Sequence, residues 1–144
     1  MVWGKTLNLL TVAIMALVIT LINAVRLSAQ DGTMPNTRPQ LVEALMCEGV
    51  KDYACVGPSI VFSVEKREVF CYTRFENVSG ALTVYHRWRH RDELSTQIRL
   101  RVRKTNPVAY SSIQLREADK GPWQVEVVGE DGFVYEVLRF SITD

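Results

Sequence analysis

Between residues 81 and 90 the chain alternates without a break. Leu82, Val84, His86, Trp88 and His90 fall on one side of an extended backbone, and Thr83, Tyr85, Arg87 and Arg89 fall on the other. A repeat of two is the side-chain period of a strand with one buried face, and it excludes an amphipathic helix, whose repeat is 3.6. The same pattern returns where Ile98, Leu100 and Val102 alternate with Arg99, Arg101 and Arg103, and where Trp123, Val125 and Val127 alternate with Gln124 and Glu126. Shorter runs occupy residues 41–50, 60–64, 69–75 and 110–115. The last run, residues 133–142, starts on Phe133, Tyr135 and Val137 and then switches to Leu138, Phe140 and Ile142. Such a change of parity requires a β-bulge. Turn-forming residues separate the runs at Gly57-Pro58, 77–80, 91–93, Asn106-Pro107, 120–122 and Asp131-Gly132. The expected fold is all-β: an antiparallel β-sandwich of seven or eight strands with immunoglobulin-like topology, a small barrel being the alternative.

One segment breaks this pattern. Residues 7–25, from Leu7 to Val25, contain no charged side chain. As a helix they would span about 28 Å, close to the hydrocarbon thickness of a bilayer. Two readings of residues 1–27 follow: an uncleaved membrane anchor, or a signal peptide cut after Ala29. The length exceeds that of an ordinary signal core, and Leu27 occupies the position where a cleavage site wants a small residue, so the anchor is the expectation. Either way the rest of the chain works outside the cytoplasm, and with an anchor the lipid bilayer is its first partner, through Leu7–Val25. Residues 28–39, with Gly32, Pro35 and Pro39, have little to bury and serve as a linker. Residues 40–144 then form a single β domain.

Six motifs stand together in that domain: Met46-Cys47-Glu48-Gly49-Val50, Val69-Phe70-Cys71-Tyr72-Thr73-Arg74-Phe75, His86-Arg87-Trp88, Tyr110-Ser111-Ser112, Gly121-Pro122-Trp123-Gln124-Val125-Glu126 and Leu138-Arg139-Phe140-Ser141-Ile142. With them, residues 44–144 resemble the bacterial family called domain of unknown function twenty-nine fourteen. That resemblance implies a compact β domain, often exported or membrane-tethered, with no established activity. The chain departs from the family pattern at Arg89 and Val108, where aromatic residues are usual. A bacterial chain of this layout is expected in the inner membrane with its domain facing the periplasm, or secreted or periplasmic after cleavage. Disulfides persist there. Cys47 and Cys71 both lie in strand-like runs that match family motifs, so they are the expected bridge in preference to Cys47–Cys55. A loop of about 25 residues closed this way would add roughly 3 kcal/mol.

Chemistry-bearing residues are sparse. His86 and His90 share a strand face, but residues four apart on a strand stand about 13 Å apart, too far to chelate one ion. His86 is expected to be hydrogen-bonded in the core, and neither a metal nor a cofactor is expected. Ser111 and Ser112 lack the Gly-x-Ser-x-Gly elbow of serine hydrolases. The acidic pairs Glu117 with Asp119 and Glu130 with Asp131 fall in turns, and Gly-rich phosphate loops are absent. An enzyme is not expected. The net charge of +1 gives no case for nucleic acid.

The arginines are the remaining feature. If residues 81–90 and 95–104 pair as a hairpin with both apolar sets inward, Trp88 should face Ile98, His86 should face Leu100, and Val84 should face Val102. The outer face would then set Arg87 against Arg99, Tyr85 against Arg101 in a cation–π contact, and Thr83 against Arg103, with Arg89 alongside. Glu126 or Glu117 could neutralise that cluster. Otherwise it awaits an anionic partner: an acidic protein of the cell envelope, an anionic glycan or lipid headgroups. The expected function is a membrane-tethered, extracytoplasmic binding or accessory module using Tyr85, Arg87, Arg89, Arg99, Arg101 and Arg103. The alternative is glycan or polymer binding on an aromatic platform of Trp88, Trp123, Tyr85 and Tyr110.

Overall fold

In a computed structural model, residues 38–144 are described; the hydrophobic segment 7–25 and the linker up to residue 37 lie outside them. Nine strands follow in chain order: β1 (Gln40–Lys51), β2 (Ala54–Pro58), β3 (Val61–Ser63), β4 (Glu68–Glu76), β5 (Ala81–His90), β6 (Glu93–Arg103), β7 (Val108–Gln114), β8 (Gly121–Gly129) and β9 (Val134–Thr143). They form two sheets, ordered β2-β1-β4-β7 and β3-β9-β8-β5-β6. The domain is all-β, as the alternation requires. One feature departs from a purely antiparallel arrangement: β3 runs parallel to β9, with Val61 beside Ser141. Among the described residues no helix is long and apolar enough to cross a membrane.

The inward faces of the two sheets make the core. One cluster joins Met46, Val69 and Cys71 of the first sheet to Trp88, Val125, Phe140 and Ile142 of the second. A second gathers Phe75, Val84, Val102, Ala109 and Val127. Full burial of each large apolar side chain is worth about 1.5–3 kcal/mol relative to exposure. Trp88 and Trp123, fully buried or nearly so, are therefore core anchors.

Register corrects the expected hairpin. Arg91 and Asp92 both adopt left-handed conformations (φ 49° and 67°) and close a two-residue turn between His90 and Glu93. Continued without interruption, that turn would pair His86 with Gln97 and rotate every apolar residue of β6 outward. A one-residue bulge between Trp88 and Arg89 restores the parity. The outcome is two residues from the expected register: His86 faces Ile98, Val84 faces Leu100, and Trp88 faces Thr96. Tyr85 consequently faces Arg99, Thr83 faces Arg101 and Arg87 faces Gln97. No arginine of β5 lies directly opposite an arginine of β6.

A bulge in the last strand is present, but it lies ahead of Val137 rather than between Val137 and Leu138, so Val137 pairs with Glu126 on the outer face. Between Val127 and Val128 the partner on β9 jumps from Glu136 to Val134, skipping Tyr135. Tyr135 turns inward instead and meets Phe75 edge-on at 5.3 Å.

The expected Cys47–Cys71 bridge is not formed. Cys47 is bonded to Cys55, and Cys71 is a buried free thiol. The cause is strand parity. Met46 lies opposite Cys71 and both enter the core, so Cys47, one residue on and opposite Phe70, projects from the other face of the sheet. Its partner sits on β2, entered through a two-residue turn at Asp52 and Tyr53 (φ 50° and 59°). That turn was hidden because it contains no glycine.

Candidate functional site

Side chains of β5 that point away from the core meet those of β6 on one flank and β8 on the other. Arg87 donates to Gln97 Oε1 at 2.8 Å across the hairpin. Arg89 donates from Nε to Glu126 Oε1 at 3.0 Å and from a terminal nitrogen to the carbonyl of Asp92 at 3.2 Å. Both partners of this Arg89–Glu126 pair are largely shielded, so it is the best-built ion pair of the face. Arg99 makes a looser contact with Glu130 at 3.7 Å, both being well exposed. Arg101 and Arg103 are exposed and have no ion-pair partner among the described residues. Glu117, the other expected neutraliser, pairs with Lys120 instead.

Tyr85 does not stack on Arg101, which the register moves away from it; the cation–π contact among the described residues is Arg38 over Phe133. Arg139 was missed from sequence. It joins the same face because β9 places it opposite Gln124, which is opposite Arg89. The signal was available in the Leu138, Phe140, Ile142 alternation, which leaves residue 139 pointing outward.

Charge is segregated within the domain. Residues 81–104 carry seven Lys and Arg against two Asp and Glu, whereas the other described residues carry eight against thirteen. Near-neutral overall charge therefore hides a strongly basic hairpin. A concave patch of about 430 Å³ lies on it, lined by Ala81, Thr83, Arg99, Leu100, Arg101 and Glu130. Guanidinium groups in such a setting supply planar donors suited to carboxylate or phosphate oxygens.

The aromatic platform does not assemble. Trp88 and Trp123 are in the core, Tyr85 projects from the outer face of the second sheet, and Tyr110 belongs to β7 in the first. Trp123 is further occupied by stacking on His90 at 4.5 Å and by donating Nε1–H to the carbonyl of Asp119.

Behind the arginine face, His86 is fully buried and satisfied by polar neighbours from the opposite sheet. Its Nδ1 is 2.8 Å from Ser111 Oγ and its Nε2 is 3.4 Å from Thr73 Oγ1. Thr73 gives its only hydroxyl hydrogen to the carbonyl of Ala109, so it can only accept from His86 Nε2–H. Nδ1 is then the acceptor of the Ser111 hydroxyl, and Ser111 accepts from Trp88 Nε1–H at 3.1 Å. Every donor in this chain is used in one direction, which fixes a neutral imidazole. Burial pushes the His86 pKa down to about 4. Ser111 and His86 thus meet, as a hydrolase pair would, but inside the core, where both are satisfied structurally. Among the described residues no group of three or more His, Cys, Asp or Glu is placed to hold a metal ion.

The domain is thus a two-sheet, all-β unit with a basic outer face on its second sheet. Residues 82–142 match the family described as "Protein of unknown function (DUF2914)". The match runs from β5 into β9, covering four of the six motifs that carried the resemblance and the whole arginine hairpin except its first residue. No curated protein matches the chain.

Proposed function

We propose that this chain is a membrane-tethered, extracytoplasmic binding module that holds an acidic partner protein of the bacterial cell envelope against the arginine face of its second sheet. The single observation that carries this reading is the unmatched charge of Arg101 and Arg103 beside the loosely held Arg99, on a hairpin whose basic excess the rest of the domain does not locally cancel. A merely solvated face would spread its charges or pair them, as Arg89 is paired with Glu126. The scaffold in this reading is immunoglobulin-like. Supporting it, β1, β4 and β7 lie in one sheet and β6, β5, β8 and β9 in the other, with β3 crossing to run parallel to β9. Cys71 on β4 and Trp88 on β5 share the core, at the places where immunoglobulin domains put a cysteine and a tryptophan. The apolar run 7–25 supports the tether and a periplasmic location.

Cross-linking in intact cells tests the binding role. Envelope proteins captured by the wild-type chain should be lost by an Arg99→Glu, Arg101→Glu variant that still folds. Identical captured sets would remove the face from the reading. Mass spectrometry of the mature N-terminus checks the tether: an intact residue 7–25 segment is expected, and a chain beginning at Gln30 would replace the anchor with a signal peptide.

A further inference from the structure

The two sheets expose four edges, and they differ greatly. β2 is five residues long and ends in Gly57-Pro58; β3 has three residues; β7 has seven and follows Pro107. β6 has eleven residues with neither glycine nor proline, and among the described residues no strand flanks it on the side away from β5. Its last residue, Arg103, closes a turn with Asn106, leaving residues 96–102 as a continuous free edge. Unpaired backbone N–H and C=O groups along such an edge are a template for one more strand.

We infer that this edge of β6 takes up an extended acidic peptide as an added strand, with Arg99 and Arg101 contacting carboxylates at alternate positions of the peptide. The inference rests on the proposed binding role and specifies its mode. An added strand would lie about 4.8 Å from β6, with every second side chain beside the outward arginines. The sign of the partner follows from the edge itself. Residues 96–102 contain two arginines and no Asp or Glu. Pairing residues 96–102 with the same stretch of a second copy would set arginine beside arginine or beside a neutral residue, and would give neither Arg99 nor Arg101 a counter-charge. The chain's own residues 28–37 hold one acidic residue, Asp31, and cannot supply alternating carboxylates. A strand from another protein, with glutamate or aspartate at every second position, satisfies both the backbone edge and the charge.

The test uses the full chain in zwitterionic detergent and a fluorescent peptide of alternating glutamate and valine, read by anisotropy. Two further peptides carry N-methyl groups on alternate residues, one in each phase. Strand addition predicts that one phase weakens binding by about tenfold or more, because its methyl groups replace the donors facing β6, while the other phase binds nearly as the parent does. The Arg99→Glu, Arg101→Glu variant should lose the parent peptide. Equal binding of both methylated peptides would overturn strand addition while leaving a charge contact in place. Failure of every peptide to bind, with arginine-dependent capture in cells intact, would overturn the edge and spare the face. Binding to phosphatidylglycerol vesicles but to no peptide would replace the peptide with a lipid surface.

Discussion

His86 Nδ1 lies 2.8 Å from Ser111 Oγ, and the two residues come from opposite sheets. This contact ties the sandwich together at the level of Trp88, directly behind the hairpin that carries the arginines. It works only while the imidazole is neutral. Protonating Nδ1 would turn the Ser111 hydroxyl hydrogen away from its acceptor and leave a charge in the core.

Stability should consequently fall in acid. The His86 pKa is lowered by burial to about 4 from an ordinary 6.5, so between these values the unfolded chain takes a proton that the folded chain refuses. The contribution is fully present above pH 6.5 and is lost as pH falls toward 4. By linkage the loss reaches about 3 kcal/mol. Urea unfolding followed from pH 7 to pH 4 should show this decline, and a His86→Leu variant should flatten it within that window.

Ser111→Ala removes the acceptor of Trp88 Nε1–H and the donor to His86 in one step. With two buried polar groups unsatisfied, the expected cost is about 2–4 kcal/mol. Tryptophan fluorescence during denaturant unfolding measures it. Ser112→Ala is the control, since Ser112 bonds Glu68 from a partly buried position and should cost about 1 kcal/mol or less.

Thiol chemistry separates the three cysteines. Cys71 is fully buried and its thiol pKa is raised by that burial, so the native protein should resist alkylation, and one thiol should react on unfolding without reductant. Reducing Cys47–Cys55 should cost about 2–3 kcal/mol, since the loop it closes is short. Mass spectrometry of alkylated peptides would reveal a Cys47–Cys71 bridge if one formed.

The fold class was legible because period-two alternation fixes which residues go inward, and a sheet core is built from that choice. His86, Trp88, Val125 and Ile142 are where alternation puts them. Register was less legible, because it depends on turn geometry and bulges. The turns at Asp52-Tyr53 and Arg91-Asp92 use left-handed non-glycine residues, which carry weak sequence signals. Cys47 shows the consequence: without the β1–β4 register, two cysteines in neighbouring strands look equally placed, although they face opposite sides of the sheet. The arginine face was legible as a set. Its internal pairing was not, because Arg87 with Gln97 and Arg99 with Glu130 depend on a two-residue shift.

In the proposed binding role, exposed arginines of β6, rather than the apolar or aromatic residues, hold the partner. Titrating the full chain with polyglutamate at about 50 mM and about 300 mM salt tests it most directly, because rim charges act through screened electrostatics. Wild type should bind, weaken several-fold at the higher salt, and lose binding by about tenfold or more on Arg99→Glu, Arg101→Glu with thermal stability unchanged. Equal affinity of the charge-reversed and wild-type chains would remove the β6 arginines from the binding role.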